Sequence, residues 1–537
     1  MGKRSGKPSH LSIHINIMAQ THLSQSSYNN YYLVSPWDRS LFPVPCSLFP
    51  LPSSRSSVPC YHPAPMVRAL LLALLTAAPA AQALAQGPGQ SGMPLSDTTA
   101  DTTAAPSADS TRWPAYVAPR PQVARAFAGL VILNGAAVAI NNLARDLPST
   151  RPATWWRNIR GGWNWDGNNI STNNIEHPYG GAVYFNVARS NGLSFWASAP
   201  VTLAGSLMWE LFGEPVPPSL NDVIITSLSG ITLGEATRRL SLLVLDNHAH
   251  GIDRVWRETA VLFFNPGMGL DRLSRGQTWH QLANPPDRRP QSLRATLAVG
   301  ARRMTLPVTG TEATRMNVAI AAFGLQYGDP FDGNKVHPFS SFTFGAELAT
   351  GPSTTVTLLG TRGMLAALGR RDGPTRHISG VFMDFEYQWN EAFQFSQQSF
   401  GLGLLSRTSG TDWRLNTDLS AELVPLMASS DPYAEDRVSR MYDYGTGVGG
   451  RAFAQLEHHG FRVLSAGYRA YWAATVNGAS QSKLIQFATV EARAPLPFGL
   501  SAGAAYNMYL QRSTYRERSA QSVSLPQMTV FLSTSGR

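Results

Sequence analysis

The chain has 537 residues, of which 43% are hydrophobic and 15% are charged, and its formal net charge is +10. This length suffices for two or three domains, and no stretch reaches eighteen consecutive apolar residues, so a polytopic helical membrane protein is not expected. About half of the net positive charge comes from residues before 69, and the rest is spread along the chain. This distribution argues against a nucleic-acid partner.

A signal peptide is predicted over residues 66–85. It begins with a short positive segment, Met66-Val-Arg68, and continues with an apolar segment from Ala69 to Ala78. An Ala-Leu-Ala cleavage site follows at residues 83–85. Because the three features occur in the required order, we expect the chain to be exported.

Residues 1–65 precede this start and show no sustained periodicity, so we expect them to be an upstream extension that is foreign to the protein. Both cysteines, Cys46 and Cys60, lie in that extension. The exported chain is therefore expected to use neither disulfides nor thiolate chemistry. Residues 86–120 are rich in Gly, Ser, Thr, Asp, Ala and Pro, which predicts a disordered linker.

Residues 121–280 are predicted to form a mainly α-helical domain. A first helix is expected from Pro121 to Arg145, and its short apolar stretch favours packing over membrane spanning. Further helices are expected over Gly181–Arg189, Val201–Phe212 and Asp253–Phe264.

Another helix is predicted to start at Ser219, because Ser219-Leu-Asn-Asp222 matches a capping box. Two glycines, Gly230 and Gly234, are expected to interrupt its next turn.

From about residue 290 to residue 537 the hydrophobic period changes to two, which predicts an antiparallel transmembrane β-barrel of about 12 strands. The overall fold class is therefore α+β. One apolar strand face consists of Trp413, Leu415, Leu419, Ala421 and Leu423, and a second of Val381, Met383, Phe385 and Tyr387. These faces are expected to contact lipid. The alternative is a soluble sandwich or propeller, whose strands also alternate.

The opposite strand faces carry charges of both signs, so the lumen is expected to be filled with ion pairs, with a narrow pore as the alternative. The residues concerned are Asp384, Glu386, Arg414, Asp418, Glu422, Arg451, Glu457, Arg469, Glu491 and Arg493.

A family resemblance is carried by four motifs in the helical block. These are N-I-E-H-P-Y-G-G-A-V-Y at 174–184, A-R-S-N-G at 188–192, W-E-L-F-G-E at 209–214 and N-P-G-M-G-L-D-R at 265–272. Over about residues 160–275 the chain resembles the DUF3943 family of bacterial envelope proteins. The resemblance implies a helical envelope domain and no known activity.

A second resemblance concerns the order Glu210, Ser219, Asp222, Gly230 and Gly234, which is similar to the helical pattern of VanZ-like proteins. It implies no reaction either.

The candidate catalytic residues are His177, Glu210, Glu214 and Asp222. His177 is a possible general base, with Glu210 or Glu214 as its acid partner. Carboxylates and an imidazole that meet in an apolar helical cluster acquire shifted pKa values, which suits them to proton transfer.

A structural role is the alternative for the same residues. Glu210 and Glu214 stand four residues apart, on one face of a helix, where they can make buried hydrogen bonds or pair with an arginine such as Arg189 or Arg238. For Asp222, helix capping alone accounts for the residue type.

No cofactor or metal is expected. The best set of ligands is His177, Glu210 and Glu214, but their spacing is not typical of a metal site. The pair His248-x-His250 is expected in a solvated loop, and His458-His459 in a hairpin turn.

These features predict an outer-membrane β-barrel protein of a Gram-negative bacterium, with a helical periplasmic or lumen-plugging domain and a structural or transport role. Its expected partners are outer-membrane lipid and, during biogenesis, the barrel-assembly machinery. The alternative is an envelope hydrolase or lipid-modifying enzyme that uses His177 with Glu210 or Glu214, and a solute channel is a third possibility.

Overall fold

The computed structural model describes residues 116–143, 150–306, 314–332, 336–351, 356–434 and 440–534. The expected upstream extension, the signal peptide and residues 86–115 of the linker lie outside the described residues.

In the described part of the chain, seven α-helices precede the strands: α1 (Val123–Leu143), α2 (Pro152–Arg160), α3 (His177–Ser190), α4 (Phe195–Met208), α5 (Leu220–Val244), α6 (Gly251–Phe264) and α7 (Pro266–Ser274). Two π-helical turns extend them. The first, π1 (Thr172–Glu176), leads into α3, and the second, π2 (Trp209–Gly213), continues α4.

The predicted capping box at the start of α5 is wrong. Ser219 is the residue before the helix, but its side chain makes no capping hydrogen bond. Its backbone N–H, which Asp222 would accept in a capping box, donates instead to Glu210 Oε2 at 2.8 Å. Asp222 is thereby left to face His177.

The predicted interruption at Gly230 and Gly234 is also wrong, because α5 is continuous. These glycines let helices approach closely. A Cβ on Gly230 would lie 2.5 Å from the Cα of Gly181 on α3, and a Cβ on Gly181 would lie 1.8 Å from the carbonyl oxygen of Thr226. No side chain fits at this crossing, so glycine is required for steric reasons.

Twelve antiparallel strands form a closed barrel: β1 (Leu293–Thr305), β2 (Arg315–Tyr327), β3 (Phe342–Ala349), β4 (Val356–Arg371), β5 (Thr375–Trp389), β6 (Gln394–Ser409), β7 (Trp413–Ser430), β8 (Tyr442–His458), β9 (Phe461–Asn477), β10 (Ser482–Pro495), β11 (Leu500–Thr514) and β12 (Gln521–Thr534). Neighbours in sequence pair, and β12 closes onto β1 with Leu532 opposite Val299. The predicted barrel is confirmed, and closure leaves no exposed sheet edge.

The barrel has two distinguishable ends. We call the end where β1 begins and β12 finishes the near end, and the opposite one the far end. Turns at the near end include residues 372–374, 410–412 and 459–460, whereas connections at the far end include residues 478–481 and 515–520.

One strand face points into the lumen, as its ion pairs demonstrate. Arg451 on β8 contacts Asp384 on β5 at 3.1 Å, and Arg294 on β1 contacts Glu457 on β8 at 2.8 Å. Strands that are not neighbours can meet only across the interior of a closed barrel. All ten residues predicted for the lumen share this face, by the pairing register of the strands.

The described lumen is filled. Toward the far end, Phe393 stacks on Tyr509 with ring centroids 4.1 Å apart, and Phe395 contacts Phe487 at 4.9 Å. Toward the near end, Phe331 from the β2–β3 connection packs among inward-facing side chains. Ion pairs and aromatic rings therefore occupy the space that a solute would need, in agreement with the filled lumen predicted from the sequence.

The outward face of the barrel has two parts. On one part, apolar side chains are exposed: Val299, Leu402, Leu404, Leu415, Leu419, Leu423, Val448, Leu464, Trp472, Val490, Tyr506, Met528, Val530 and Leu532. This is the apolar exterior typical of a transmembrane barrel.

On the other part, centred on β2–β5, the outward side chains are buried under the helical domain. Phe344 of β3 and Phe385 of β5 share one hydrophobic core with Phe185 of α3 and Ile225 of α5. The helices therefore lie against the outer wall of the barrel, so the lumen-plugging position that the sequence analysis gave as one alternative is wrong. The face formed by Val381, Met383, Phe385 and Tyr387 contacts helices instead of the expected lipid, because the helical domain covers it.

Helix α5 runs along this wall from one end of the barrel to the other. At the far end, Asn221 Nδ2 lies 3.4 Å from the hydroxyl of Tyr444. Near its C-terminus, Arg239 Nη2 lies 3.5 Å from the carbonyl oxygen of Pro338, in the β2–β3 connection at the near end. The long axis of the helical domain thus follows the barrel axis.

Two adjacent glycines of α3 provide a matched test of the helix crossing. We expect Gly181→Ala to destabilise the helical domain by about 1–3 kcal/mol, because its Cβ would collide with the backbone of α5. For Gly180→Ala we expect a neutral or slightly stabilising change, since a Cβ there meets nothing within 4 Å. Chemical unfolding in detergent, followed by helical circular dichroism, measures both. Equal unfolding midpoints for the two variants would contradict the close crossing of α3 and α5.

The filled lumen predicts no steady conductance. Purified protein that shows the heat-dependent gel mobility of a folded barrel should give a flat current trace in planar lipid bilayers at moderate voltage, because aromatic and ion-pair contacts block the lumen. A stable ohmic step that scales with the amount of inserted protein would contradict this expectation.

Candidate functional site: the acid cluster

The four candidate residues of the sequence analysis meet at the far end of the helical domain. His177 is the first residue of α3, Glu210 belongs to π2, Glu214 follows π2 directly, and Asp222 lies in the first turn of α5. His177 Nε2 lies 3.7 Å from Asp222 Oδ1. Together with Asp166, described below, these residues form what we call the acid cluster.

His177 has a partner at each ring nitrogen. Nε2 faces the carboxylate of Asp222, and Nδ1 lies 3.3 Å from Thr226 Oγ1, one helical turn further along α5. Asn221 Nδ2 donates to Asp222 Oδ1 at 2.8 Å and so orients the carboxylate. The imidazole is only partly buried, with 13% of its side chain exposed, so a small group can reach it from outside.

The π-helical turn changes the expected relation between the two glutamates. Glu210 is fully buried, and its Oε2 accepts the backbone N–H of Ser219. Glu214 lies beyond the turn in extended backbone, where its Oε1 accepts the Trp209 indole N–H at 2.8 Å. The two residues are therefore not on one face of a regular helix, as the i,i+4 spacing suggested.

Asp166 also belongs to the acid cluster, and the sequence analysis missed it. Asn173 Nδ2 donates to Asp166 Oδ1 at 2.7 Å, and the Asp166 backbone N–H donates to Asn221 Oδ1 at 2.9 Å. One sequence feature could have indicated Asp166. Residues 164–174 are rich in Asn and Asp, which is unusual beside buried apolar residues.

The barrel contributes to the cluster as well. Asn173 Nδ2 lies 3.0 Å from the hydroxyl of Tyr442 and 3.0 Å from that of Tyr444, both at the start of β8. Arg440 donates to the backbone oxygen of Asp166 at 3.1 Å. The site is thus built where the helical domain meets the outer wall.

The cluster has a strong excess of acidic groups. In the described part of the chain, no arginine or lysine forms an ion pair with the carboxylates of Asp166, Glu210, Glu214 or Asp222. Burial raises the pKa of the Glu214 carboxyl above its ordinary value, against the opposite influence of His177 and of the Trp209 indole. A carboxyl of this kind can hold a proton at neutral pH and donate it.

Glu235 on α5 shows the contrasting, structural arrangement. Arg189 Nε lies 2.8 Å from Glu235 Oε2, and Arg239 and Arg238 approach the other oxygen at 3.0 Å and 3.7 Å. Of the two structural alternatives for Glu210 and Glu214, the pairing with Arg189 or Arg238 is wrong, because Glu235 takes both arginines. Both glutamates accept hydrogen bonds instead, as the other alternative expected.

Buried polar atoms without a hydrogen-bond partner among the described residues surround the cluster. They are Glu210 Oε1, Asn158 Oδ1, Asn173 Oδ1 and Asn174 Nδ2. A buried polar atom left without a partner costs about 1–3 kcal/mol, so such atoms mark places where water or the polar group of a ligand binds.

Within the described ranges, no group of three His, Cys, Asp or Glu side chains has an arrangement that could hold a metal ion. His248 lies in a loop beside Asn284, and His250 precedes α6. His459 and Gly460 form the two-residue turn between β8 and β9, with φ of 49° and 78°, which confirms the predicted hairpin.

The segment that carries the acid cluster has a recognisable family. Residues 162–267 match DUF3943, a domain of unknown function. The resemblance expected over about residues 160–275 is confirmed. All five members of the acid cluster lie within this DUF3943 segment, whereas the tyrosines that β8 contributes lie outside it.

No curated protein matches the chain significantly. Among solved structures, the NanC porin is 9% identical and covers 44% of this chain and 98% of its own, with a TM-score of 0.24. The outer membrane channel DcaP of Acinetobacter baumannii is 7% identical, with coverages of 45% and 96% and a TM-score of 0.22. The beta domain of the Bordetella autotransporter BrkA is 15% identical, with coverages of 46% and 100% and a TM-score of 0.22. These TM-scores are too low to carry an argument about function.

Acid-to-amide variants distinguish the acid cluster from the structural ion pairs. We expect Glu235→Gln to lower the free energy of unfolding by about 3–5 kcal/mol, because three arginines lose their buried partner. Asp222→Asn should cost less than about 1 kcal/mol or stabilise the fold, since asparagine keeps an oxygen for the hydrogen bond from Asn221 and no arginine or lysine loses a partner.

Denaturant unfolding of the two variants in the same detergent provides the measurement, with the unchanged protein as reference. A loss for Asp222→Asn as large as that for Glu235→Gln would show that Asp222 is held by a structural interaction.

Proposed function

We propose that this protein is an outer-membrane barrel whose helical domain binds a polar group at the acid cluster and acts on it by acid–base chemistry. The observation that carries the proposal is the convergence of His177, Asp222, Glu214 and Glu210 beside unpartnered buried polar atoms. Such a combination is costly for a fold and is typical of functional sites.

Three features support the outer-membrane location. The barrel is closed, part of its exterior is apolar, and its lumen is lined with charged side chains. The signal peptide expected at residues 66–85 would export the chain in a Gram-negative cell. Membrane lipid and the barrel-assembly machinery are then the partners, and the near end, with short turns and both barrel termini, faces the periplasm.

Each side chain has a role in the proposed chemistry. His177 Nδ1 accepts a proton from a hydroxyl or water that takes the place of the Thr226 hydroxyl and attacks the substrate, and Asp222, which faces Nε2, stabilises the resulting imidazolium. Glu214, which burial tends to keep protonated, returns a proton to the leaving group. The reaction class that fits is hydrolysis or group transfer.

The charge of the acid cluster restricts the substrate. Its carboxyl groups have no arginine or lysine partner among the described residues, so the site lacks the cationic side chain that a phosphate or a carboxylate would require. The group bound at His177 is therefore neutral or cationic, such as a hydroxyl-rich, amide or amine group.

A purely structural role is the second candidate. It is favoured by the hydrogen bonds that join Asn173 and Asn221 to the barrel tyrosines, since these could serve only to dock the helices. The two candidates differ in what they predict for His177.

We expect His177→Gln to preserve folding and to abolish function, because glutamine keeps a polar side chain but cannot take up a proton. The variant, expressed from Met66, should reach the outer-membrane fraction and keep its heat-dependent gel mobility. Mass spectrometry of the cell envelope should then show the same accumulated precursor or missing product as a deletion strain. His459→Gln, at an exposed turn, is the matched control and should behave as the unchanged protein.

The structural candidate predicts the opposite. If His177→Gln is folded and located as the unchanged protein, and the envelope composition is that of the parent strain, the acid–base role is refuted. Absence of a heat-dependent mobility shift in the outer-membrane fraction would refute the location itself.

A further inference from the structure

Four helices of the helical domain extend between the two ends of the barrel. The N-terminus of α1 is held at the near end, where Gln122 N–H donates to Asn191 O at 2.9 Å. Its C-terminus is tied at the far end, because Asn142 Nδ2 bonds Thr150 O and Thr150 Oγ1 bonds the carbonyl oxygen of Gly213 in π2.

The other helices alternate in direction. Helix α3, preceded by π1, runs from the far end to the near end, and α4 returns with Phe195 stacked on Phe339 of the near-end connection. Helix α5 again runs to the near end, where the chain enters β1. The four helices therefore lie at the same height along the barrel axis as the strands.

Their lengths fit the thickness of a membrane. At a rise of about 1.5 Å per residue, the 21 residues of α1 span about 32 Å and the 25 residues of α5 about 37 Å. The hydrocarbon core of a bilayer is about 30 Å thick. Helix α1 is long and apolar enough to cross a membrane by length and composition.

The outer surface of these helices is apolar. The sequence analysis expected α1 to be packed, but only Ala126, Leu130 and Asn134 of its residues are buried. Ile132 is 68% exposed on α1, and on α4 Trp196 is 60% and Leu203 is 41% exposed. In water this surface would be unfavourable, whereas acyl chains would cover it at no cost.

The interior of the helical domain is polar, which is the reverse of a soluble domain. Buried side chains on α3–α5 include Asn186, Ser198, Thr202, Ser229, Thr232 and Glu235. The charged residues of α5 point inward, and in α1 the charged residue is Arg125, in its first turn at the near end. Charges that face the interior of a bundle and pair there are typical of helices in lipid.

Tryptophans lie at both ends of the apolar surface. Trp155 and Trp156 are on α2 at the far end, beside Phe212 of π2, and both are exposed. Trp256 on α6 and Trp279 after α7 lie at the near end and are exposed as well. Such aromatic belts occur where a membrane protein meets the two interfaces of the bilayer.

We propose that the helical domain is immersed in the lipid of the membrane beside the barrel, so that acyl chains cover α1 and α4. This inference rests on the outer-membrane location proposed above. The apolar surface of the helices then continues the lipid-facing wall of β6–β12 and β1. Consequently, the acid cluster lies at the level of the outer interface, and its ligand is the polar part of an amphipathic membrane molecule.

Nitroxide labels at single cysteines test the proposal in the chain expressed from Met66, because residues 66–537 contain no cysteine. The positions are Ile132→Cys on α1 and Leu203→Cys on α4. The controls are Leu419→Cys on the exposed apolar face of β7, and Glu517→Cys in the connection between β11 and β12. Purified protein in phospholipid vesicles is probed with oxygen, which concentrates in lipid, and with a polar nickel chelate, which does not.

We expect the labels at positions 132, 203 and 419 to be several-fold more accessible to oxygen than to the nickel chelate, and the label at 517 to show the reverse. If positions 132 and 203 behave like 517 while 419 remains in lipid, the helical domain stands in water and the inference is overturned, although the barrel location survives. If 419 also behaves like 517, both proposals fail.

Discussion

The contact between the helices and the outer wall of β2–β5 determines the rest of the structure. Phe344 and Phe385 on the strands pack with Phe185 and Ile225 on the helices in a single core. Helices α3 and α5 approach each other closely in this core, because Gly230 leaves room for the backbone of α3. In lipid such a contact would depend on close packing and hydrogen bonds more than on the hydrophobic effect, because acyl chains are as apolar as the side chains they replace.

This contact also creates the acid cluster. The helical domain supplies the carboxylates and His177, whereas β8 supplies Tyr442 and Tyr444, which hold Asn173 in place. Ion pairs and aromatic rings cross the lumen, whereas the proposed chemistry lies at the outer wall. The two parts of the chain thus complement each other: the barrel provides a rigid outer wall, and the helices place acid–base groups against it.

The sequence was sufficient to predict the barrel, because alternation with period two directly reports which side chains share a face. It could not predict which outward faces are covered. Val381–Tyr387 and Trp413–Leu423 show the same alternation, yet the first face lies under helices and the second is exposed. An apolar strand face can pack equally well against acyl chains or against a helix. Which of the two covers it depends on contacts with residues far away in the sequence, and the alternation within one strand does not report those contacts.

For the candidate site, the motifs identified the DUF3943 segment and four residues that the structure brings together, but local rules gave the wrong interactions. The capping-box pattern at Ser219 failed because Glu210 reaches the same N–H from another element. The i,i+4 relation of Glu210 and Glu214 failed because π2 changes the helical period. Asp166 was missed since its partners, Asn173 and Asn221, come from different elements.

Photo-cross-linking in lipid tests whether the helical domain docks on the outside of the barrel. A photoreactive phenylalanine analogue is placed at Phe344, which faces outward beneath the helices, and separately at Leu419, which faces outward and is exposed. After irradiation of the protein in vesicles, mass spectrometry should find cross-links from position 344 to residues of α3–α5 and cross-links from position 419 to lipid. Cross-links from position 344 to lipid alone would show that the helices do not cover this wall, and would contradict the account.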